Sequence, residues 1–471
     1  MVTGIVIVFF ILIVIYGNVR TPGKSGEIYS YGLKFPEGFL WATGEDAYQH
    51  EGGNLNNDWA DWEAGVPSPI ENGDKCLMAA DFWNRYEEDF TRARADGQNA
   101  HRIGIEWSRV EPVMGEFDDD AMAHYEKMLA SMKDKGFTVF LNLWHFTLPR
   151  WAVEAGGWES DIVMVRWEEF VEECAIRFAW YVDYWSTMID AQIYALNGFA
   201  MGEIPPNKKD QKLSIKIYHN LIRAHARAYK IIKENATVRD GNKVRVPKVG
   251  MIYFFFDYQA QGFFLDRFAT HQLDKIFNWS FLDAIHTGNI DVGVFPGPRI
   301  KRFSEDSRDT LDWIGINYYT RQVVSFNPFK PGMLEMKNCD KYPATDMDWE
   351  IYPKGIYRIC RKVEKRYPGV PLVIAENGLA DAKDDRRPKF ILDHLAWVHR
   401  LIEKGCPIFG FTYWSLTDNW EWAKGFAPKF GLYRVDRNTF DRTPTKSASL
   451  YRFIVQNNRL PEESEFKEII K

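Results

Sequence analysis

The sequence predicts a single α/β domain built as a (β/α)8 TIM barrel, with a short apolar N-terminal extension. Eight short apolar runs alternate with longer segments of helical periodicity. No Gly-x-Gly-x-x-Gly motif follows the first run, which argues against a doubly wound nucleotide-binding sheet. The 471 residues contain no Pro/Ser-rich linker and no internal repeat, so one large barrel is favoured over several domains.

The apolar runs give the expected strands, and the periodic segments between them give the expected helices. Asp119–Lys135, for example, carries apolar residues at i, i+3 and i+4 spacing, which is typical of a helix that faces a core. We assign residues 1–32 to an apolar segment and linker, and residues 33–471 to the barrel. The expected strands are Gly38–Thr43, Ala100–Glu106, Thr138–Leu143, Tyr184–Met188, Lys248–Tyr253, Trp313–Asn317, Leu372–Ala375 and Ile408–Thr412.

The N-terminal segment is almost wholly apolar from Ile5 to Tyr16. A membrane-spanning helix needs about 20 apolar residues, a length that residues 2–19 nearly reach. The segment lacks a preceding basic stretch and a small-residue cleavage site, so a cleaved signal peptide fits poorly. Membrane association through residues 2–19 therefore stays open. If the segment inserts, Arg20 and Lys24 keep the barrel on the cytoplasmic side, and we expect a cytoplasmic protein.

Composition excludes several functional classes. The net charge of −6 gives no basic surface for nucleic acid. The five cysteines are scattered without CxxC spacing, which argues against a disulfide framework or a zinc site and favours a reducing compartment. The ten histidines show no HExxH pattern, so we expect no metal and no cofactor. The oligomeric state is left open.

Polar and aromatic side chains follow the predicted strands at their carboxyl ends. In a (β/α)8 barrel these ends meet on one face, and residues placed there are typically catalytic. Carboxylates together with hydroxyl-binding groups and indole rings indicate chemistry on a glycoside. We therefore expect a small-molecule β-glycoside or oligosaccharide as partner. The side chains concerned are those of Gln49, His145, Asp190, Asn317, Tyr319, Glu376, Trp414, Glu421 and Trp422.

The segments around these residues occur in an order that resembles glycoside hydrolase family 1, which contains β-glucosidases and β-galactosidases. The resemblance extends from Leu33 to about Arg452. It implies a retaining mechanism through a covalent glycosyl-enzyme. The segments that carry it are Phe39–Gly52, His101–Arg109, Trp144–Pro149, Asp312–Thr320, Ala375–Gly378 and Trp414–Trp422.

The resemblance also implies roles for individual residues. Glu376 matches the nucleophile, and Arg102 and Tyr319 match the residues that hold it ionised, with a purely structural ion pair left open for Arg102. Trp414 matches the ring beneath the sugar, and Phe430 matches a wall of the same pocket. The remaining residues expected to bind sugar hydroxyls are Gln49, His145, Asn317, Glu421 and Trp422.

The fourth-strand segment departs from the family pattern. The family has Trp-x-Thr-x-Asn-Glu-Pro, whereas this chain reads Trp-Ser-Thr-Met-Ile-Asp-Ala from Trp185 to Ala191. Asp190 therefore replaces the glutamate expected as acid/base and shortens its arm by one methylene. A misplacement near 1 Å costs a rate on the order of 10²-fold. Ile189 lacks the amide expected at the sugar 2-hydroxyl, and Ala191 removes a backbone constraint.

A second departure is the acidic pair Glu45-Asp46 after the first strand. The preferred interpretation is two surface charges. Two alternatives stay open, in which the pair raises a neighbouring pKa or replaces the missing glutamate.

The sequence thus predicts a retaining β-glycosidase for β-glucosides and β-galactosides, with Glu376 as nucleophile and Asp190 as a weakened acid/base. Two alternatives remain. One is a glycosidase limited to activated aglycones, as in the plant myrosinases. The other is a pseudoenzyme that binds a sugar without cleaving it.

Overall fold

The computed structural model contains a closed barrel of eight parallel strands. It describes residues 28, 30–241, 243–293, 297–330, 333–339 and 342–471. Around the barrel the strands follow chain order, and β1 closes the ring by pairing with both β2 and β8. The barrel strands are β1 (Leu40–Glu45), β2 (Ala100–Gly104), β3 (Thr138–Asn142), β4 (Tyr184–Ile189), β5 (Lys248–Phe254), β6 (Trp313–Asn317), β7 (Leu372–Asn377) and β8 (Ile408–Tyr413).

After each strand, one helix of 8 to 25 residues packs on the outside of the barrel. Their apolar faces are buried, as expected for helices that cover a parallel sheet. In α2 the predicted stripe is buried. The helices are α1 (Phe82–Ala95), α2 (Asp119–Asp134), α3 (Asp161–Phe178), α4 (Gln211–Asn235), α5 (Ser280–Thr287), α6 (Lys354–Arg366), α7 (Arg387–Glu403) and α8 (Lys446–Asn457).

Short elements extend the loops between these units. The additional strands are Val238–Asp240, Lys243–Arg245, Asp257–Ala260, Asn289–Gly293, Arg299–Phe303, Arg321–Phe326, Leu334–Lys337, Tyr433–Val435 and Arg442–Pro444. The additional helical segments are Ala47–His50, Asp58–Glu63, Glu71–Gly73, Trp107–Val110, Arg150–Glu154, Gly157–Glu159, Ala191–Ala195, Leu196–Met201, Phe264–Asp274, Lys275–Trp279, Glu305–Ser307, Trp422–Lys424 and Glu463–Ile469.

Side chains fill the barrel interior, which is therefore a packed core. Near the amino ends of the strands, Tyr184 stacks on Phe140 at 4.5 Å and on Phe409 at 5.2 Å between ring centroids. Towards the carboxyl ends, Ile189 and Ile252 belong to the same buried cluster. This apolar layer lies directly beneath the polar residues at the carboxyl ends of the strands.

The predicted barrel is confirmed, and the predicted strands need only small corrections. β2 ends at Gly104, so Glu106 lies outside it. β1 continues past Thr43 to Glu45, which moves Glu45 and Asp46 from an expected surface loop into the barrel end. Among the described residues, no helix is long and apolar enough to cross a membrane. The apolar run at residues 2–19 lies outside the described residues, and the division at residue 32 stays a prediction.

Candidate active site

The site is organised around the carboxylate of Glu376 near the end of β7. Arg102, from β2, places Nη2 2.7 Å from Glu376 Oε1. Tyr319, which follows β6, donates its hydroxyl to Glu376 Oε2 at 2.7 Å. Each carboxylate oxygen thus faces one donor, an arrangement that favours the ionised form. The structure brings together the three residues predicted as nucleophile and orienting pair.

Asp190 lies directly after β4, in a left-handed backbone conformation with φ 54° and ψ 37°. Aspartate tolerates this region better than most residues. The side chain is 5% exposed. Asn317 donates Nδ2 to both of its oxygens, at 3.4 Å to Oδ1 and 3.2 Å to Oδ2. Asp190 therefore has an amide as partner where Glu376 has a guanidinium and a phenol.

These partners separate the two carboxyl groups electrostatically. Burial raises the pKa of Asp190 well above its usual value, and the negative charge of Glu376 adds to the rise. Burial also raises the pKa of Glu376, but the Arg102 guanidinium and the Tyr319 hydroxyl oppose that rise. Asp190 has the weaker donors, so its protonated form is favoured, whereas the two donors at Glu376 favour the ionised form of that group.

The segment after β8 forms another wall of the site. Trp414 donates Nε1 to Glu421 Oε1 at 3.2 Å. Burial raises the pKa of Glu421 to about 8, against the hydrogen bonds from Trp414 and Asn419. Trp422 contacts the His145 ring at 5.0 Å between centroids and stacks on Tyr48 at 6.2 Å.

Gln49 is anchored to this wall through its amide nitrogen. Nε2 donates to the backbone oxygen of Trp420 at 2.8 Å and to Asn419 Oδ1 at 3.2 Å. Gln49 Oε1 and Asn317 Oδ1 are buried and accept no hydrogen bond from the described residues. A ligand rich in hydroxyl groups supplies the donors that these oxygens lack.

Aromatic rings form the wall beside Tyr319. Phe254 stacks on Tyr319 at 5.6 Å, and Phe430 meets it edge-on at 6.0 Å. Trp349 contacts Tyr319 at 5.4 Å. The structure therefore places Phe430 against the predicted nucleophile-orienting tyrosine. Phe254 and Trp349 are wall residues that the sequence analysis did not identify.

The prediction that Glu45 and Asp46 are surface charges is wrong, because both are 1% exposed. Glu45 Oε2 lies 3.0 Å from His101 Nε2, and burial raises the pKa of Glu45 to about 8. Asp46 points into the site, where its Oδ2 lies 3.1 Å from both Arg102 Nη2 and His145 Nδ1. Burial alone would raise the pKa of Asp46, but Arg102 and His145 lower it to about 2. Asp46 is thus a buried, ionised member of the site that sequence reasoning misplaced.

Two comparisons with known proteins show the family of this chain. The model of glycosyl hydrolase family 1 matches residues 32–460. The chain belongs to that family. It is 31% identical to a β-galactosidase of Sulfolobus acidocaldarius, over 92% of this chain and 97% of the relative. The predictions of family 1 membership and of a glycoside hydrolase are therefore confirmed.

Solved structures of the family have the same fold. A β-glycosidase from Pyrococcus horikoshii matches with a TM-score of 0.83 and 34% identity, covering 93% of this chain and 98% of its own. A β-glucosidase from Thermotoga maritima in complex with deoxynojirimycin matches with a TM-score of 0.81 and 28% identity, covering 91% of this chain and 100% of its own. This family 1 chain thus matches these enzymes over nearly their whole length.

The described residues contain no group of three or more His, Cys, Asp or Glu side chains placed to hold a metal ion. The polar residues of the site are instead engaged with one another through the contacts given above.

Proposed function

We propose that this family 1 protein hydrolyses β-glucosides and β-galactosides with retention of configuration. Glu376 is the nucleophile, and Asp190 is a weakened acid/base. The observation that carries this proposal is the unequal support of the two carboxyl groups. Arg102 and Tyr319 hold Glu376 ionised, whereas burial keeps the proton on Asp190.

The first step requires an ionised nucleophile and a protonated acid on the same face of the barrel. Glu376 attacks the anomeric carbon and forms the covalent glycosyl-enzyme, while Asp190 gives its proton to the departing glycosidic oxygen. In the second step Asp190 takes a proton from water, and that water releases the sugar from Glu376. Each carboxyl group begins the cycle in the protonation state that its role needs.

The sugar is held by groups on several strand ends. His145 and Glu421 lie near enough to Glu376 to interact with its charge, and Trp422 contacts His145. Gln49 and Asn317 each offer an amide oxygen that accepts no hydrogen bond from the described residues. Relatives of this chain are named β-galactosidase and β-glucosidase, and a structural neighbour binds deoxynojirimycin, a sugar-like inhibitor. These similarities support a small-molecule β-glycoside as substrate.

The acid is weakened because the side chain of Asp190 is one methylene shorter than that of the usual glutamate. The chain after β4 holds Asp190 through its backbone nitrogen, which donates to Ile252 O at 3.1 Å. The apolar Ile189 is fully buried beside it. The backbone at Asp190 is thus held in place. A bridging water or a shift of the substrate is needed to connect the shorter side chain with the glycosidic oxygen.

The experiment that tests this function compares two β-glucosides with the same sugar, one with an aryl leaving group and one with an alkyl leaving group. Turnover of both substrates supports Asp190 as a working acid. Turnover of the aryl substrate alone supports the second candidate, a glycosidase limited to activated aglycones, which the Ile189–Ala191 substitutions favour. Binding of both substrates without turnover of either would overturn the proposal and identify a sugar-binding pseudoenzyme.

A further inference from the structure

Asp46 lies at the β1 side of the site, opposite the groups that accompany Glu376 on β7 and β6. The same nitrogen of Arg102, Nη2, lies 3.1 Å from Asp46 Oδ2 and 2.7 Å from Glu376 Oε1. Arg102 Nε and Nη1 are buried and have no hydrogen-bond acceptor among the described residues. One terminal amino group of the guanidinium therefore bridges two carboxylates, and the usual two-pronged pairing with a single carboxylate is absent for both.

The position of the Arg102 guanidinium depends on a glycine of the neighbouring strand β1. A Cβ added to Gly44 would lie 2.8 Å from Arg102 Nε and 2.9 Å from Nη2, closer than real Cβ contacts allow. The Arg102 guanidinium therefore packs directly against the backbone of Gly44. Gly44 and Asp46 act together, because one supplies the space for the guanidinium and the other supplies the charge that attracts it.

Asp46 also contacts the imidazole that faces the sugar position. His145 Nδ1 lies 3.1 Å from Asp46 Oδ2. A carboxylate at this distance favours the proton on Nδ1, and Nε2 is then the atom left for the ligand. Oδ1, the other oxygen of Asp46, is buried and has no hydrogen-bond partner among the described residues.

We infer that Asp46 is a positioning residue, which draws Arg102 and His145 toward β1 so that Glu376 shares the guanidinium instead of holding it alone. This inference rests on the proposed function, in which Glu376 is the nucleophile. Asp46 touches neither of the reacting atoms in that scheme and acts through Arg102 and His145.

The consequence is a higher pKa for the carboxyl group of Glu376, which therefore stays protonated up to a higher pH. Six groups from different strand ends face Glu376, and only Arg102 is a fixed cation among them. The negative charge of Asp46 adds to the effect of burial in raising the pKa of Glu376, so its removal lowers that pKa. The other groups that face Glu376 are Asp46, His145, Asp190, Tyr319 and Glu421.

The test is the pH dependence of kcat/KM in the full-length protein carrying Asp46→Asn, a substitution that keeps the shape and removes the charge. The inference predicts that the acidic limb moves to lower pH by about one unit, or tenfold in the ionisation constant, because Arg102 then pairs with Glu376 alone. The matched control is Glu45→Gln. Glu45 is an adjacent buried acid that points to His101, and with its pKa near 8 it is uncharged at the pH of that limb. We expect no shift of the limb in this control.

A second readout isolates Glu376 from the acid/base. The rate at which a fluorinated glucoside with a good leaving group inactivates the enzyme reports the formation of the glycosyl-enzyme, and its acidic limb is expected to move by the same amount. Asp46→Ser gives a second test if the asparagine variant does not fold. If neither variant folds, the inference can still be overturned by the unmodified protein, since an acidic limb at or below about pH 4.3, the usual pKa of a glutamate, would contradict it.

A uniform loss of rate with an unmoved limb in both variants would show that Asp46 is structural and would overturn the inference. A limb of the unmodified protein at or below the usual glutamate value would do the same. These results differ from a failure of the proposed function, in which the unmodified protein neither turns over the aryl glucoside nor reacts with the fluorinated one.

Discussion

The proposed nucleophile Glu376 and the proposed acid Asp190 have opposite environments in this site. On β7, Glu376 meets a guanidinium and a phenol, each at 2.7 Å. After β4, Asp190 lies between the apolar residues Ile189 and Ala191 and receives two longer bonds, of 3.2 and 3.4 Å, from a single amide. The first environment stabilises a charge, and the second penalises one. Residue type alone therefore does not assign the roles of the two carboxyl groups. The hydrogen-bond donors around each group decide which one is favoured in the ionised form.

The two sides also differ in how far they depart from the family pattern. The segment Ala375–Gly378 and its partners Arg102 and Tyr319 match it, whereas the segment after β4 and the acidic pair after β1 do not. The segment that contains Glu376 thus matches the family, and the departures lie in its surroundings. If this difference is functional, substitutions at Glu376 should affect every substrate, and substitutions at Asp190 should affect substrates according to their leaving group.

The largest effect is expected from removing the nucleophile. Glu376→Gln keeps the shape of the side chain but cannot attack the anomeric carbon, so kcat/KM for an aryl β-glucoside should fall on the order of 10⁴-fold or more. The control is Glu37→Gln, at an exposed position away from the barrel mouth, which should leave the rate unchanged. Mass spectrometry after a fluorinated glucoside should show an adduct in the unmodified protein and none in Glu376→Gln. An adduct on another residue would contradict the assignment.

Removing the acid should affect only one class of substrate. Asp190→Asn keeps the size of the side chain and one oxygen that can accept from Asn317, but it has no transferable acidic proton, so the rate on an alkyl β-glucoside should fall by about 10²-fold or more. The rate at which an aryl β-glucoside with a strongly activated leaving group forms the glycosyl-enzyme should change much less, because that group departs without a proton. Burst kinetics with both substrates measure this difference. Equal losses on the two substrates would show that Asp190 supports the site structurally and is not its acid.

Much of the surroundings of Glu376 could be predicted from the sequence, because short apolar runs of the chain mark the strands and the residues at their ends. An apolar run that ends in Ala375-Glu376 predicts a strand with a carboxylate at its end, and the barrel topology then places that carboxylate beside the ends of the neighbouring strands. Tyr319 follows from the same rule applied to β6. The family resemblance added the chemical roles to positions that the strand pattern had already brought to one face.

The environment of the acidic pair after β1 could not be predicted, because it depends on contacts with residues that are far away in the sequence. Glu45 and Asp46 look like loop charges in the chain, and only the closed barrel brings Arg102 and His145 against Asp46. Burial of two adjacent acids is normally too costly to expect without visible partners. The left-handed backbone conformation of Asp190 could not be predicted either, because no glycine occupies the position. Contacts between residues far apart in the sequence decided the burial of Asp46.

The smallest effect is expected from Tyr319→Phe, and it sharpens the comparison because it should move the pH profile in the opposite direction from Asp46→Asn. The Tyr319 hydroxyl bond lowers the pKa of Glu376, so losing it raises that pKa and moves the acidic limb of kcat/KM to higher pH. The plateau rate should fall about tenfold, roughly the value of one hydrogen bond to a charged group. Tyr318→Phe is the matched control, since Tyr318 donates instead to the backbone oxygen of Tyr352. Limbs that move in the same direction in Tyr319→Phe and Asp46→Asn would mean that Glu376 does not govern the acidic limb.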